Sequence, residues 1–128
     1  MMKKKTSGDR RRKVLGDIGE DVAAAYLQNH GVVIRARNFR LKTGEIDIIG
    51  ERDGMILFVE VKTRTSDCYS RAAAAVDIRK QRKIIAAAQI YLQRENLDDC
   101  PCRFDVVEVY PQSDGTFRVV TIDGAFEA

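Results

Sequence analysis

A single histidine, His30, three cysteines and no long apolar run set the first limits on this 128-residue chain. Crossing a bilayer as a helix takes roughly 18–20 consecutive apolar residues, and no stretch approaches that. The basic N-terminus is followed by no hydrophobic signal core, so secretion is not expected. Cys68, Cys100 and Cys102 are an odd number and cannot all pair within the chain, which fits a reducing cytoplasm better than a disulfide scaffold. Cys100-Pro101-Cys102 lacks the partners a zinc site needs, because Cys68 and His30 lie far away in sequence. With one histidine, any Ser-His-Asp scheme must use His30, and its place beside Gly31 at a helix end suits capping instead. No G-x-x-x-x-G-K-[ST] loop exists, so ATP-driven chemistry is not indicated.

What is present begins with a charge asymmetry. The net charge is +3, yet residues 1–13 hold seven basic side chains against Asp9 alone, and the remainder holds 15 basic and 18 acidic groups. Residues 1–13 therefore read as a flexible basic arm and 14–128 as one mildly acidic domain, since this length leaves no room for two sizeable cores. The arm is either a polyanion-holding segment or a solubilising tail.

Periodicity orders the rest. Residues 16–29 read as a helix with Ile18, Val22, Ala25 and Asn29 along its stripe, stopped by His30-Gly31. Gly16, Gly19 and Ala23 lie together on the helical wheel, so close approach of another element is expected there. A short strand over 32–37 leads into a polar stretch, 38–44. Two β-rich runs, 45–51 and 55–62, flank Asp53-Gly54, a strong hairpin signal. After a polar loop over 63–72, residues 77–94 form a second helix with Ile78, Ile84, Ile85, Ala88, Tyr91 and Leu92 on its apolar face. A break at 98–101 precedes two more strands, 103–110 and 116–122, around Asp114-Gly115. The order implies an α/β domain on a mixed sheet of about five strands flanked by helices.

The first hairpin carries the chemistry. If Asp53-Gly54 forms a two-residue type I′ turn, Arg52 faces Met55, and counting outward puts Asp47 opposite Glu60 and Glu45 opposite Lys62. Opposed residues share a face with Cβ atoms roughly 4.5–5.5 Å apart. Alternation then puts Glu45, Asp47, Glu60 and Lys62 on one face and Ile46, Ile48, Val59 and Val61 on the other. Two like charges directly opposed destabilise a sheet, and a divalent cation between them reverses that sign. Hard oxygen ligands favour Mg²⁺ or Mn²⁺, with the Val61 carbonyl as a further oxygen. Asp47 and Glu60 then hold the metal, Lys62 orients the nucleophile or offsets phosphate charge, and Glu45 pairs with Lys62 or supports a second ion. The plainer alternative is an amphipathic edge hairpin with an ordinary Glu45–Lys62 ion pair.

The blocks Gly16-Asp17-Ile18-Gly19-Glu20, Arg37-Asn38-Phe39-Arg40, Gly44-Glu45-Ile46-Asp47, Phe58-Val59-Glu60-Val61-Lys62-Thr63-Arg64 and Arg103-Phe104-Asp105-Val106-Val107 fall in the order found in the YraN family of small bacterial proteins, which the chain resembles from Gly16 to its second hairpin. The resemblance implies a restriction-endonuclease-like fold with the Asp…Glu-x-Lys set of PD-(D/E)XK nucleases, here Asp47, Glu60 and Lys62, in a layout similar to archaeal Holliday junction resolvases. It also brings in Glu20, since a first-helix carboxylate often completes the metal site of such nucleases. The alternative for Glu20 is an acid favoured by the helix dipole. Ile46 stands where the family pattern of the superfamily has proline.

Arg79, Lys80 and Lys83 on the second helix, and Arg64 after the Lys62 strand, are candidates for phosphate contact. The expectation is a cytoplasmic Mg²⁺- or Mn²⁺-dependent endonuclease, or nuclease-like protein, acting on DNA, with branched DNA suggested by the resolvase-like layout. No membrane partner is expected. Symmetric cutting of two strands would call for a homodimer, although no self-complementary patch is visible. Two alternatives stand: a non-catalytic nucleic-acid-binding or protein-interaction module on the same fold, and an RNA-processing nuclease. The latter is disfavoured by the lack of a stacked-aromatic platform.

Overall fold

The Asp53-Gly54 turn anchors the register of the sheet. Both residues take the left-handed backbone that a type I′ turn requires, at φ 53° and 77°. Arg52 pairs with Met55, and the antiparallel ladder runs outward to Ile48 opposite Val59, as the hairpin signal predicts. The computed structural model describes residues 7–64 and 76–128. Residues 1–6 of the expected arm, and most of the 63–72 loop with Cys68, lie outside the described residues.

The elements are α1 (Ser7–Asn29), β1 (Val33–Leu41), β2 (Gly44–Arg52), β3 (Met55–Thr63), α2 (Ile78–Arg94), β4 (Cys102–Pro111) and β5 (Phe117–Phe126). The strands form one sheet in the order β1-β2-β3-β4-β5. Neighbours are antiparallel except β3 and β4, which run parallel through the crossover that contains α2. The sheet is thus mixed, with α1 on one face and α2 on the other. The α1 face buries Ala23, Leu27, Ile48, Leu57, Val59 and Val107, and the α2 face buries Ile49, Phe58, Ile84, Ala88, Tyr91 and Phe104.

Four details differ from the sequence reading. First, α1 starts at Ser7, so residues 7–13 of the expected arm are helical. That stretch lacks an apolar stripe, and its Arg and Lys residues support a helix by propensity. Second, the buried stripe of α1 is Gly19, Ala23, Ala24 and Leu27, while Ile18 and Ala25 are exposed. Small residues set this stripe because they allow close approach: a Cβ on Gly19 would lie 1.9 Å from Thr63 Oγ1 of β3. Third, Ile78 at the start of α2 is exposed, and the helix is capped by Asp77, whose Oδ1 accepts the Arg79 N–H at 2.7 Å. Fourth, β1 continues beyond residue 37 into the polar stretch as far as Leu41 and turns directly into β2 at Lys42-Thr43.

The hairpin of β1 and β2 packs tightly on α2. A Cβ on Gly44 would sit 2.5 Å from the main-chain oxygen of Lys83, an atom that cannot retreat without dragging the helix. Gly44→Ala is therefore expected to destabilise the chain by about 1–3 kcal/mol, the range for overpacking a close contact. Urea denaturation checks this, and an unchanged midpoint would contradict the close approach.

Candidate functional site

Alternation along β2 breaks at Asp47. Ile48 packs on the α1 face and Ile49 on the α2 face, but Ile46 also joins the α2 face, whereas regular alternation puts it with Ile48. The break is matched across the β1–β2 ladder, which keeps its register from Arg37 opposite Ile48 to Phe39 opposite Ile46. Between them Asn38 takes a left-handed backbone at φ 52°, so the two strands are irregular at Asn38 and Asp47 together.

Asp47 is thereby turned toward β3. Its Oδ2 accepts the Val61 N–H at 2.8 Å, and the main-chain ladder of β2 and β3 ends one pair earlier. A side chain thus replaces a main-chain acceptor, and the strands part around it. Glu60, 6% exposed, lies at this fork beside Asp47, close enough for Asp47 to perturb its ionisation. The close seat of Gly19 on Thr63 brings Glu20 alongside, and Glu20, Asp47, Glu60 and Val61 line one cleft of about 390 Å³ with Leu15, Gly16 and Thr63.

The electrostatics of this cleft are unfavourable to full ionisation. Burial, then the charge of Asp47, pushes the Glu60 carboxyl up to about 7, against the opposing pull of Lys80. Burial also raises Asp47, although the Val61 N–H stabilises its ionised form. Glu20 is pushed up to about 6, first by burial and then by Asp47, with Arg37 opposing. Lys62 is shifted down by burial and by the neighbouring Arg64 and Lys80.

The other candidates are distributed as follows. Arg79, Lys80 and Lys83 line a second cleft of about 490 Å³ between α2 and the tip of the β1–β2 hairpin, joined by Lys42 and Glu45. Glu45 has Arg40 as its ion-pair partner at 3.5 Å, where the hairpin count placed Lys62 opposite it; Lys62 is instead registered beside Glu108 of β4. The parting of β2 and β3 beyond Ile48 explains the change. Arg64 lies 3.5 Å from the buried Glu108, with its Nε and Nη2 buried and without a hydrogen-bond acceptor among the described residues.

Two participants were not legible in the sequence. Lys80 forms an ion pair with Glu60, whereas its helical spacing suggests only a phosphate contact. Lys42 reaches the second cleft from the turn between β1 and β2, within the polar stretch 38–44. The parallel α2 crossover is what sets Lys80 over Glu60, and no local spacing announces it. His30 fits its capping expectation, with Nδ1 2.7 Å from the Tyr26 carbonyl oxygen. Cys100 and Cys102 are free thiols.

A five-stranded mixed sheet between two helices, with the acid of β2 and the Glu-x-Lys of β3 meeting where those strands part, is a restriction-endonuclease-like fold. The chain belongs to the family described as uncharacterised protein family UPF0102, the YraN family, whose sequence model matches residues 19–109. It is 46% identical to a UPF0102 protein of Symbiobacterium thermophilum over 114 residues, covering 89% of this chain and 97% of the relative. It is also 46% identical to UPF0102 proteins of Caldanaerobacter subterraneus subsp. tengcongensis and Clostridioides difficile; both matches cover 77% of this chain, and they cover 81% and 86% of those proteins. Among the described residues, no helix is long and apolar enough to cross a membrane.

The raised carboxyls make stability depend on pH. A carboxyl raised in the folded chain favours folding fully below its unfolded value, near 4.5 for Glu60, and that contribution is lost as pH rises through about 7. In EDTA, the wild type is expected to melt lower at pH 8 than at pH 5 relative to Glu60→Gln. The variant should be the more stable of the two at pH 8, by about 1–3 kcal/mol. Parallel melting curves for both proteins across this range would show that Glu60 is not under such strain.

Proposed function

We propose that this chain is a metal-dependent nuclease-type protein hydrolysing phosphodiester bonds in nucleic acid, with DNA the favoured substrate. The observation that carries the reading is the Asp47–Glu60 pair, two carboxyls held against each other in a half-buried fork with a basic cleft beside it. Burying two acids together is destabilising as plain architecture, and a divalent cation relieves it.

The donor set fits such an ion. Among the described residues, no three His, Cys, Asp or Glu side chains form a ready-made ligand group. Mg²⁺ commonly takes only one or two carboxylates, keeping water and substrate phosphate in its remaining positions. Asp47 and Glu60 would hold Mg²⁺ or Mn²⁺, with Val61 and Glu20 lining the same cleft. When bound, such an ion supplies a water of lowered pKa and polarises the phosphoryl oxygen.

The protein's own groups account for the rest. Lys62 Nζ, two residues along β3 from Glu60 and shifted toward its neutral form, orients the attacking water or offsets charge growing on the phosphate. Arg79, Lys83 and Lys42 hold phosphates that flank the scissile one, in the cleft beside α2. Arg64 contributes a phosphate contact once its guanidinium leaves Glu108. Glu45, tied to Arg40 in the second cleft, has a smaller part than Asp47 or Glu60. A branched DNA substrate and a homodimer follow only from the resolvase-like layout, and the odd cysteine count supports a cytoplasmic setting.

One observation favours the non-catalytic alternative: Lys80 already compensates Glu60, so the acid has a partner without any metal. Cleavage assays separate the readings. Labelled duplex, single-stranded and four-way-junction DNA, together with RNA, are incubated with Mg²⁺, Mn²⁺ or EDTA. Cutting is expected with either ion and none in EDTA, and Asp47→Ala or Lys62→Ala should slow it by roughly 10²–10⁴-fold. Undiminished cutting by Asp47→Ala would sink the site assignment. Binding of nucleic acid without cleavage under every metal condition would favour the module.

A further inference from the structure

One ion pair links the two clefts. Lys80 lines the basic cleft beside α2, and its ammonium is paired with Glu60, which lines the carboxyl cleft beside α1. Glu60 takes this cation from a different element, although Lys62 stands two residues away on its own strand. Asp47 and Glu45 add to the attraction on Lys80. Among the described residues, the buried Glu60, beside the half-buried Asp47, thus has the Lys80 ammonium as its ion-pair partner, supplying the positive charge that a metal ion would also bring.

The basic cleft has an opposite imbalance. It is lined by Lys42, Arg79, Lys80 and Lys83 against two acids, both engaged elsewhere: Asp77 caps α2, and Glu45 pairs with Arg40. The cleft therefore suits an anion. Lys80 itself is half exposed on a flexible four-carbon stem, so its ammonium is free to serve either side.

We propose that Lys80 exchanges between two positions: on Glu60 in the metal-free chain, and on a nucleic-acid phosphate in the cleft of Lys42, Arg79 and Lys83 once a divalent cation has entered beside Asp47 and Glu60. This rests on the metal-dependent reading above and adds a coupling to it. An ammonium and a divalent cation compete for the same carboxylate. Phosphate that draws Lys80 away strengthens metal binding, and by linkage bound metal strengthens phosphate binding to the same degree. Lys80 is then a positioning residue that makes ion and substrate arrive together.

The test is Mn²⁺ binding to the full chain, followed by the electron paramagnetic resonance signal of free Mn²⁺. It is run with and without a phosphorothioate oligonucleotide that resists cleavage. Lys80→Met and Lys80→Ala are expected to bind Mn²⁺ roughly three- to tenfold more tightly than wild type, the scale of one displaced ion pair. Lys83→Met removes the same charge from the same cleft and should leave Mn²⁺ affinity near wild type. The oligonucleotide should tighten Mn²⁺ binding in wild type and do so much less in the Lys80 variants. Unchanged or weaker Mn²⁺ binding in both Lys80 variants overturns the exchange, as does equal tightening in Lys83→Met. If Asp47→Asn abolishes Mn²⁺ binding while the Lys80 variants behave as wild type, the metal reading stands and the exchange alone falls. If no protein binds Mn²⁺, both fall.

Discussion

The carboxylate of Asp47 occupies a place in the sheet where a main-chain carbonyl would ordinarily sit. By accepting the Val61 N–H it ends the β2–β3 ladder at Ile48 opposite Val59, and it keeps the parting strands from leaving a buried donor unsatisfied. Everything around the candidate site depends on that substitution. The fork exists because Asp47 fills it, and Glu60 lies against Asp47 because the register up to the fork is regular. Val61 and Lys62 then continue along β4, where Lys62 stands beside Glu108.

Side chains from both faces of the sheet reach the fork. On one side, the small residues of α1 bring Glu20 against the acids; on the other, α2 contributes Lys80. Among the described residues, the site is therefore a balance of the carboxyls of Glu20, Asp47 and Glu60 against Lys80, with Lys62 close by but disfavoured as a cation by burial and by Arg64. Such an arrangement is poor as a stabilising element, because desolvation raises all three acids and the charge of Asp47 raises Glu20 and Glu60 further. Its sense lies in what it can accept: positive charge at the fork, and negative charge in the basic cleft alongside.

Much of this was readable from local pattern. Asp53-Gly54 demanded positive φ at two successive residues, and that turn determined which residues of β2 and β3 face each other. Asp47 and Glu60 could be brought together by counting alone. The same counting failed beyond them. It assumed unbroken alternation, so it placed Ile46 with Ile48 and Glu45 with Lys62; the irregularity at Asn38 and Asp47 moved Ile46 to the α2 face and left Glu45 to Arg40. On α1 the apolar stripe through Ile18 is exposed, whereas the close approach expected at its small residues is made at Gly19, against Thr63, and not at Gly16.

The sequence by itself determined the order of elements, the hairpin register and the identity of the acid pair, because turn chemistry and side-chain periodicity act over a few residues. Only the tertiary structure decided which cation stands on Glu60. Lys80 is 20 positions away, across a parallel crossover whose packing is set by Ala87, Ala88 and Tyr91 against the sheet. Which side chains meet across such a connection depends on how a helix sits on a sheet, and that depends on the shape of the whole buried surface.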